Sequence, residues 1–554
     1  MNIGTASLQR LVELAMPAAF VVSVLLLWIY LRAVKRSMMR ATEPVGAASA
    51  RAARMDATQA PTAAPALALE IVECGAPSAL AVRAVWRGPW RAAAVQIAAG
   101  IAYALMMAMS WWSLTGFPYR WDAIVVIALI FTWPLVIVVG LVAAVSWRAM
   151  AVVALAYGVL VTSAVLAMTA VSDLTASFAA QVWYSTNGLS TVFVLAFLAR
   201  PIRAMGPLVC ALMIAAAAGL FAMNAVMDDP ATLRWVAETA TGLGFSGYGG
   251  GALLGFIVYG VPTLAAGLVC YFVLRGVGRL YRAHHISDQS IQIDSVWLTF
   301  AVAHGTGTMA WGGLAAFMAY KLVAWAGYRI MRPAPAGEVT APRLLLLRVF
   351  SLGARSGRLF DGFARLWRHL GSVRMIAGPD LANETVEPYE FLDFLAGRLQ
   401  RRFITNARVL QQRLAESAAK RDPDGRFRVS SFFCHADTWQ MVLRRLARES
   451  DVVLMDLRGF TRTNKGCVYE LHALLEIVRL EQFVLVVDGT TDEGFLAEVL
   501  GQGWANISAI SRNRTAPAPR VRIYRLDGSG AVGIDKLVAT VASAHAGGLF
   551  PEAK

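Results

Sequence analysis

Charge is scarce in this sequence. Asp, Glu, Lys and Arg make up 16% of its 554 residues against 57% hydrophobic residues, and the mean hydropathy is +0.54. An ordinary soluble domain carries about a quarter charged residues, so the deficit excludes a wholly water-exposed protein, and burial in a bilayer is the simplest account. Acidic residues are the scarcer sign, 36 against 51 basic ones. Many basic residues flank hydrophobic runs, a positive-inside pattern rather than a nucleic-acid-binding one. Cysteine is rare too. Cys74, Cys210, Cys270, Cys434 and Cys467 show no paired spacing and two lie in apolar runs, which supports neither a disulfide framework nor a zinc site. The turn 353–357 lacks both the lysine of a P-loop and the full glycine spacing of a dinucleotide fingerprint, so ATP hydrolysis is not indicated.

What is abundant is long apolar sequence. The run at 11–31 exceeds a signal-peptide core and is followed by Arg32, Lys35, Arg36 and Arg40, which reads as a retained anchor (1–40) with its N-terminus outside. Residues 41–91 are rich in Ala and Pro without sustained period, the composition of a cytoplasmic linker. Apolar runs recur at 92–114, 123–146, 149–171, 178–199, 205–226 and 252–274, each long enough to cross about 30 Å of hydrocarbon as a helix. Loops holding Arg148, then Arg200 and Arg203, then Arg275, Arg279 and Arg282 alternate with loops holding Asp122, Asp173, Asp228 and Asp229, while Trp111, Trp112, Trp121 and Trp235 suit the outer interface. Seven crossings leave the chain in the cytoplasm at Arg275.

The last apolar stretch, 295–328, is broken by His304, Gly305 and Gly307 and carries Lys321. A single crossing sends the C-terminal domain outside; a pair of short helices returns it to the cytoplasm. The basic residues Lys321, Arg329, Arg332 and Arg343 and the unpaired Cys434 and Cys467 favour the return. His304 and the two glycines are expected to serve packing or hydrogen bonding at this break.

A short linker, 329–342, precedes a change of character over 343–554. Strand-like runs at 344–350, 373–377, 426–433, 452–457, 483–487 and 521–524 alternate with amphipathic helical patterns such as 357–370, 437–447, 469–480 and 494–500. Alternation of this kind predicts a three-layer, Rossmann-like α/β domain with a mostly parallel sheet and helices on both faces. Ligands of such sheets bind beyond the carboxyl ends of the strands. That rim holds Arg355, Asp380, Asp456, Arg458, Asn464, Asp488 and Thr490, a set suited to a phosphate-bearing ligand at helix N-termini. The same residue types also serve as ordinary helix caps and turn formers. Cys434, His435 and Asp437 offer too few ligands for a metal, and Asp437 reads as a helix cap.

The most specific stretch is 451–471, DVVLMDLRGFTRTNKGCVYEL. It resembles the strand, turn and helix of TIR domains, whose helix often opens Trp-Cys-x-x-Glu-Leu. Cys467, Glu470 and Leu471 match, and Gly466 stands where the Trp would be. The resemblance covers about twenty residues, and the opening strand LLLLRVFSLG and the stretch 389–417 depart from a minimal TIR domain. It implies a catalytic role for Glu470 in cleaving NAD, or else a related nucleotide-sensing domain, as in bacterial signalling and defence proteins joined to membrane helices. A helix-opening glutamate is also favoured by the helix dipole alone.

The expectation is therefore a multi-pass protein of the plasma (inner) membrane whose cytoplasmic TIR-like domain binds NAD or a related nucleotide and self-associates. The bilayer is its partner and nucleic acid is not. Two other classes compete: a transporter or channel with a regulatory α/β domain, disfavoured by the near absence of ionisable residues at the centres of the spans, and a non-catalytic scaffold.

Overall fold

The computed structural model describes residues 19–33, 67–114, 118–143, 147–169, 183–198, 204–244, 255–305, 311–331, 341–348, 354–377, 388–395, 403–416, 420–435, 438–526 and 533–544, with single positions at 17, 36, 250 and 253. The chain divides into two compact units. One comprises Met1–Tyr30, Arg91–Arg332 and Val386–Ala396; the other comprises Leu31–Trp90, Pro333–Thr385 and Gly397–Lys554.

The first unit is helical. Its elements are α1 (Ala79–Ser113), α2 (Trp121–Phe131), α3 (Trp133–Val142), α4 (Trp147–Thr169), α5 (Leu189–Leu198), α6 (Gly206–Asp228), α7 (Pro230–Gly242), α8 (Val261–Arg282), α9 (Asp288–Gly305) and α10 (Trp311–Ile330); α1 begins in the other unit. Among the described residues, four helices are long and apolar enough to cross a membrane: Ala79–Ser113, Arg148–Ala167, Gly206–Met223 and Phe256–Arg282. A fifth candidate is α2 with α3, bent by 46°. The expected runs at 11–31 and 178–199 correspond to the shorter apolar helices Ala19–Ala33 and Thr186–Ala196. The segment Pro388–Leu395 also belongs to this unit, where Phe391 and Phe394 pack on Tyr30 with ring centroids 5.8 and 5.0 Å away.

The bend between α2 and α3 has a local cause. Pro134 sits in the first turn of α3, where its ring lacks an N–H and crowds the carbonyl four residues back, that of Ile130. The displaced carbonyl is recovered by side chains: Asn187 donates Nδ2–H to the Ile130 oxygen at 3.2 Å, and the Tyr157 hydroxyl reaches both Leu129 O (2.8 Å) and Ile130 O (3.2 Å). Asn187 is in turn placed by a widened π turn over Tyr184–Gly188. Its Oδ1 lies 3.3 Å from Nε2 of His304, whose Nδ1 is 2.9 Å from the Tyr103 hydroxyl. His304, 3% exposed, thus has both ring nitrogens engaged, the hydrogen-bonding role its place beside Gly305 suggested. The centre of the unit holds more polar groups than the runs advertise.

Helices α9 and α10 pack on each other in antiparallel fashion. Lys321 pairs with Asp294 at 2.8 Å, the Tyr320 hydroxyl donates to the same carboxylate at 3.2 Å, and a Cβ at Gly313 would lie 2.2 Å from Ala301 O. A glycine is required there because any side chain would push the two helices apart.

The second unit contains an eight-stranded sheet: β1 (Glu70–Glu73), β2 (Arg343–Arg348), β3 (Ser372–Ala377), β4 (Phe403–Ile404), β5 (Val429–Cys434), β6 (Val452–Asp456), β7 (Phe483–Val487) and β8 (Arg520–Arg525), in the order β1-β8-β7-β6-β2-β3-β5-β4. Every adjacent pair is parallel. The six expected strands are present within a few residues. The helices are α11 (Ala354–Trp367), α12 (Ala407–Glu416), α13 (Trp439–Glu449), α14 (Lys465–Ile477), α15 (Glu493–Ala505) and α16 (Ile534–Ser543). Leu345, Leu347, Val453, Met455, Leu485 and Val487 join one core with Leu443, Leu471, Leu474 and Leu500 of α13, α14 and α15. The alternating residues Leu344, Leu346, Val452, Leu454, Val484 and Val486 point the other way and are equally buried. On that face α11 and α16 meet so closely that a Cβ at Gly362 would lie 2.7 Å from Ile534 Cδ1. Strands buried on both faces read as unbroken apolar runs, as they do here.

Of the segment read as a linker, residues 41–66 lie outside the described residues, and the remainder is structured. β1 adds to the edge of β8, with Glu70 paired to Arg520 at 2.8 Å, and Leu67 O accepts from Trp504 Nε1 at 2.8 Å. Backbone hydrogen bonds cannot join strands held on opposite sides of a bilayer. Glu70–Glu73 and the strands from Arg343 onward are therefore on one side, and the chain between them crosses any membrane an even number of times. The antiparallel pair α9–α10 suits this, contributing two passes or none. Topology reporters placed within 41–66 and after Lys554 are expected to score in the same compartment; opposite scores would mean that β1 does not pair with β8 in the cell.

Candidate functional site

The connections of the sheet reverse at its centre. From β2 the chain moves outward to β3 and on to the edge strand β4, comes back to β5 between them, then crosses to the other side of β2 as β6 and continues outward through β7 and β8. Crossovers leaving β2 and β6 in opposite directions open a crevice beyond their carboxyl ends, the usual ligand position in open parallel sheets. The register places Arg348, the last residue of β2, beside Asp456, the last of β6.

Glu470 reaches this region from α14, the helix that follows β6. Its helix begins after Asn464, so Glu470 lies in the second turn, with Leu471 and Leu474 anchoring the same helix in the core. Its carboxyl is 1% exposed, and its Oε2 has no hydrogen-bond partner among the described residues. The group lines a small cleft with Leu346, Leu347 and Arg348 of β2, Met375 and Ile376 of β3, and Phe360 of α11. Burial in this apolar setting raises its pKa to about 8, since the charged form loses its hydration. At neutral pH Glu470 is a carboxylic acid able to donate a hydrogen bond. The Arg348 guanidinium lies over the Phe360 ring at 5.7 Å, and Cys467 points its thiol at the Arg348 carbonyl at 3.9 Å. Arg348 was not among the expected site residues; an arginine closing the four leucines of RLLLLR is the signal that could have found it, and Phe360, Met375 and Ile376 carry no such mark.

The other expected site residues are placed as follows. Asp456 and Arg458 form a buried two-pronged pair, Nε to Oδ1 and Nη2 to Oδ2 both at 2.8 Å. Burial opposes the charge of Arg458, but the hydrogen bonds and charge of Asp456, with Asp488 nearby, outweigh it and raise its pKa. Asp488 closes its own turn, accepting from Thr490 N at 2.9 Å and Thr490 Oγ1 at 2.5 Å, while Thr491 Oγ1 ties that turn to Leu457 O at 3.0 Å. Asn464 accepts from Thr461 N at 2.8 Å and so shapes the loop before α14. The structure thus gathers Asp456, Arg458, Asp488 and Thr490 beside the crevice, with their polar atoms spent on the loops. Asp380 lies outside the described residues; Arg355 is in α11, but its side chain is not among those described.

The second cluster stays apart. His435 stacks on Phe403 with centroids 5.2 Å apart, and burial pushes the Cys434 thiol up to about 12, which makes it a poor nucleophile. Asp437 is outside the described residues. Among the described residues no three His, Cys, Asp or Glu side chains converge to hold a metal.

Two measurements follow from this geometry. Replacing Arg458 by Ala leaves Asp456 buried without its cation and is expected to destabilise the α/β unit by about 3–5 kcal/mol, read as a lowered unfolding midpoint; an unchanged midpoint would show the pair to be open to solvent. For Glu470, the folded pKa near 8 lies above the unfolded value, so the unfolded chain ionises first as pH rises. Its contribution to stability is complete below about pH 4.5 and is lost by pH 8, at about 1.4 kcal/mol per pH unit. Glu470→Gln should remove this slope and gain on the wild type as pH rises; parallel stability curves would rule out the buried acid. Comparison with protein-family models, curated proteins and solved structures finds no match for the chain.

Proposed function

We propose that this chain is a multi-pass protein of the bacterial plasma membrane whose cytoplasmic α/β domain binds NAD or a related nucleotide at the crevice beyond β2 and β6 and signals through that binding. The observation that carries the reading is Glu470: a fully buried carboxyl with an unpartnered oxygen, in a cleft where the strand order reverses. Leaving such a group unsatisfied costs stability, and an unpaired buried acid with a perturbed pKa in a cleft marks a candidate functional group. The partial TIR resemblance of 451–471 falls on this same residue.

The cleft is narrow, with room for little more than a water. The bulk of a nucleotide therefore lies outside it, over the strand ends, and a ribose hydroxyl reaches Glu470. A cationic nicotinamide ring brought beside the acid favours its ionised form. The carboxylate then stabilises the ribosyl cation as the C–N bond breaks, nicotinamide leaves with the bonding electrons, and water supplies the hydroxyl and releases a proton. Arg348 is positioned to face an anionic group of the same ligand.

A transporter or channel remains the second reading. It is favoured by the Asp294–Lys321 pair and by the His304, Tyr103 and Asn187 group within the helical unit, since ionisable residues among apolar helices are costly and functional by default.

Mass spectrometry of small molecules retained by the detergent-purified full chain, with nicotinamide release from NAD followed in parallel, separates these readings. Retained nucleotide is expected, and Glu470→Gln should lower release by at least about a hundredfold while retention persists. Retention without release leaves a sensor, and neither retention nor release rejects the nucleotide reading.

A further inference from the structure

Three exposed arginines line one stripe of α1. Arg83, Arg87 and Arg91 follow each other at four-residue spacing, which places them on one face of the helix. None forms an ion pair among the described residues, and α1 contains no acidic residue at all. Trp90, 61% exposed, lies beside the last of them. Immediately after the stripe the helix becomes apolar through Ser113.

The first turns of α1 lie in the same compact unit as His369. A Cβ at Gly88 would lie 2.5 Å from His369 Cγ, so α1 rests directly on His369. Burial, then the charges of Arg426, Arg368 and Arg421, hold that imidazole below its ordinary pKa, which makes it a neutral spacer among cations.

We propose that Arg83, Arg87 and Arg91 bind the phosphate groups of anionic phospholipids at the membrane surface. A guanidinium presents two parallel donors to a phosphate, and cations beside a negatively charged leaflet attract its lipids. The covalent chain selects lipid over a free anion: the stripe ends at an exposed tryptophan, the residue type of the membrane interface, and leads within one turn into sequence apolar enough to cross the bilayer. This inference rests on the reading of α1 as a membrane-crossing helix and is independent of nucleotide binding.

The test uses the full-length chain in nanodiscs of phosphatidylcholine alone or with a minority of phosphatidylglycerol. Native mass spectrometry should find phosphatidylglycerol retained in preference to phosphatidylcholine. The exposed-site variants Arg83→Gln and Arg87→Gln should each lower that preference by about fivefold, with unfolding midpoints in pure phosphatidylcholine equal to wild type. Equal retention of the two lipids by the wild type, or variants that keep the full preference, would overturn the proposal. Inorganic phosphate that stabilises the chain in pure phosphatidylcholine as well as phosphatidylglycerol does would overturn it in favour of a free anion. Release of the chain from membranes by alkaline carbonate would reject the membrane reading itself, a failure distinct from a missing lipid preference.

Discussion

A backbone carbonyl or amide withdrawn from water must find another partner, at a cost of roughly 1–3 kcal/mol if it does not. Both units are organised by that requirement. In the helical unit, Pro134 breaks the ladder between α2 and α3, and the carbonyl of Ile130 is recovered by Asn187 and Tyr157. Asn187 then fixes His304, and His304 fixes Tyr103, so one missing hydrogen bond explains a polar group spread over four parts of the chain. In the α/β unit the requirement is met by the sheet, whose β8 edge is covered by β1 from a segment that comes before Arg91–Arg332 in sequence.

The rim of the crevice obeys the same rule. Asp456, Arg458, Asp488, Thr490 and Asn464 satisfy one another or the loops they sit in, which is what a rim of turn formers is expected to do. Glu470 does not. It is buried as deeply as the leucines beside it yet leaves an oxygen without a partner. Other buried polar atoms, Ser372 Oγ and Thr540 Oγ1 among them, are left over as well; what separates Glu470 is that it is a carboxyl and lies in the cleft at the strand ends. The strand order adds a reason of a different kind, since the reversal at β2 and β6 opens space where neither crossover covers the sheet.

Much was legible before the fold was known. Strands β2, β6 and β7 announced themselves as apolar runs because both of their faces are covered, β3, β5 and β8 by shorter strand-like patterns, and Glu470 was singled out by the resemblance of Cys467, Glu470 and Leu471 to the TIR pattern. Two strands were not legible. β4 has only two residues, too few for any period, and β1 lies in a stretch rich in Ala and Pro whose strand character comes from pairing with β8 rather than from its own composition. The helix Pro388–Leu395 is in a similar position: its aromatic residues are plain in the sequence, but their packing on Tyr30 joins positions far apart in the chain.

The sequence by itself determined that the protein has a long apolar helical part and an alternating α/β part, because hydropathy and period depend on residues close together in the chain. It also determined where a ligand crevice is to be looked for, since strand ends follow from the strands. Tertiary structure alone decided which polar groups are spent and which are open. Arg458 and Glu470 are equally conspicuous as charged residues after one strand, yet Arg458 closes on Asp456 while Glu470 is left neutral and unpartnered in a cleft with Arg348 and Phe360. The physical reason is that burial and hydrogen bonding are properties of neighbours in space, and those neighbours come from β2, β3 and α11, more than ninety residues earlier in the chain.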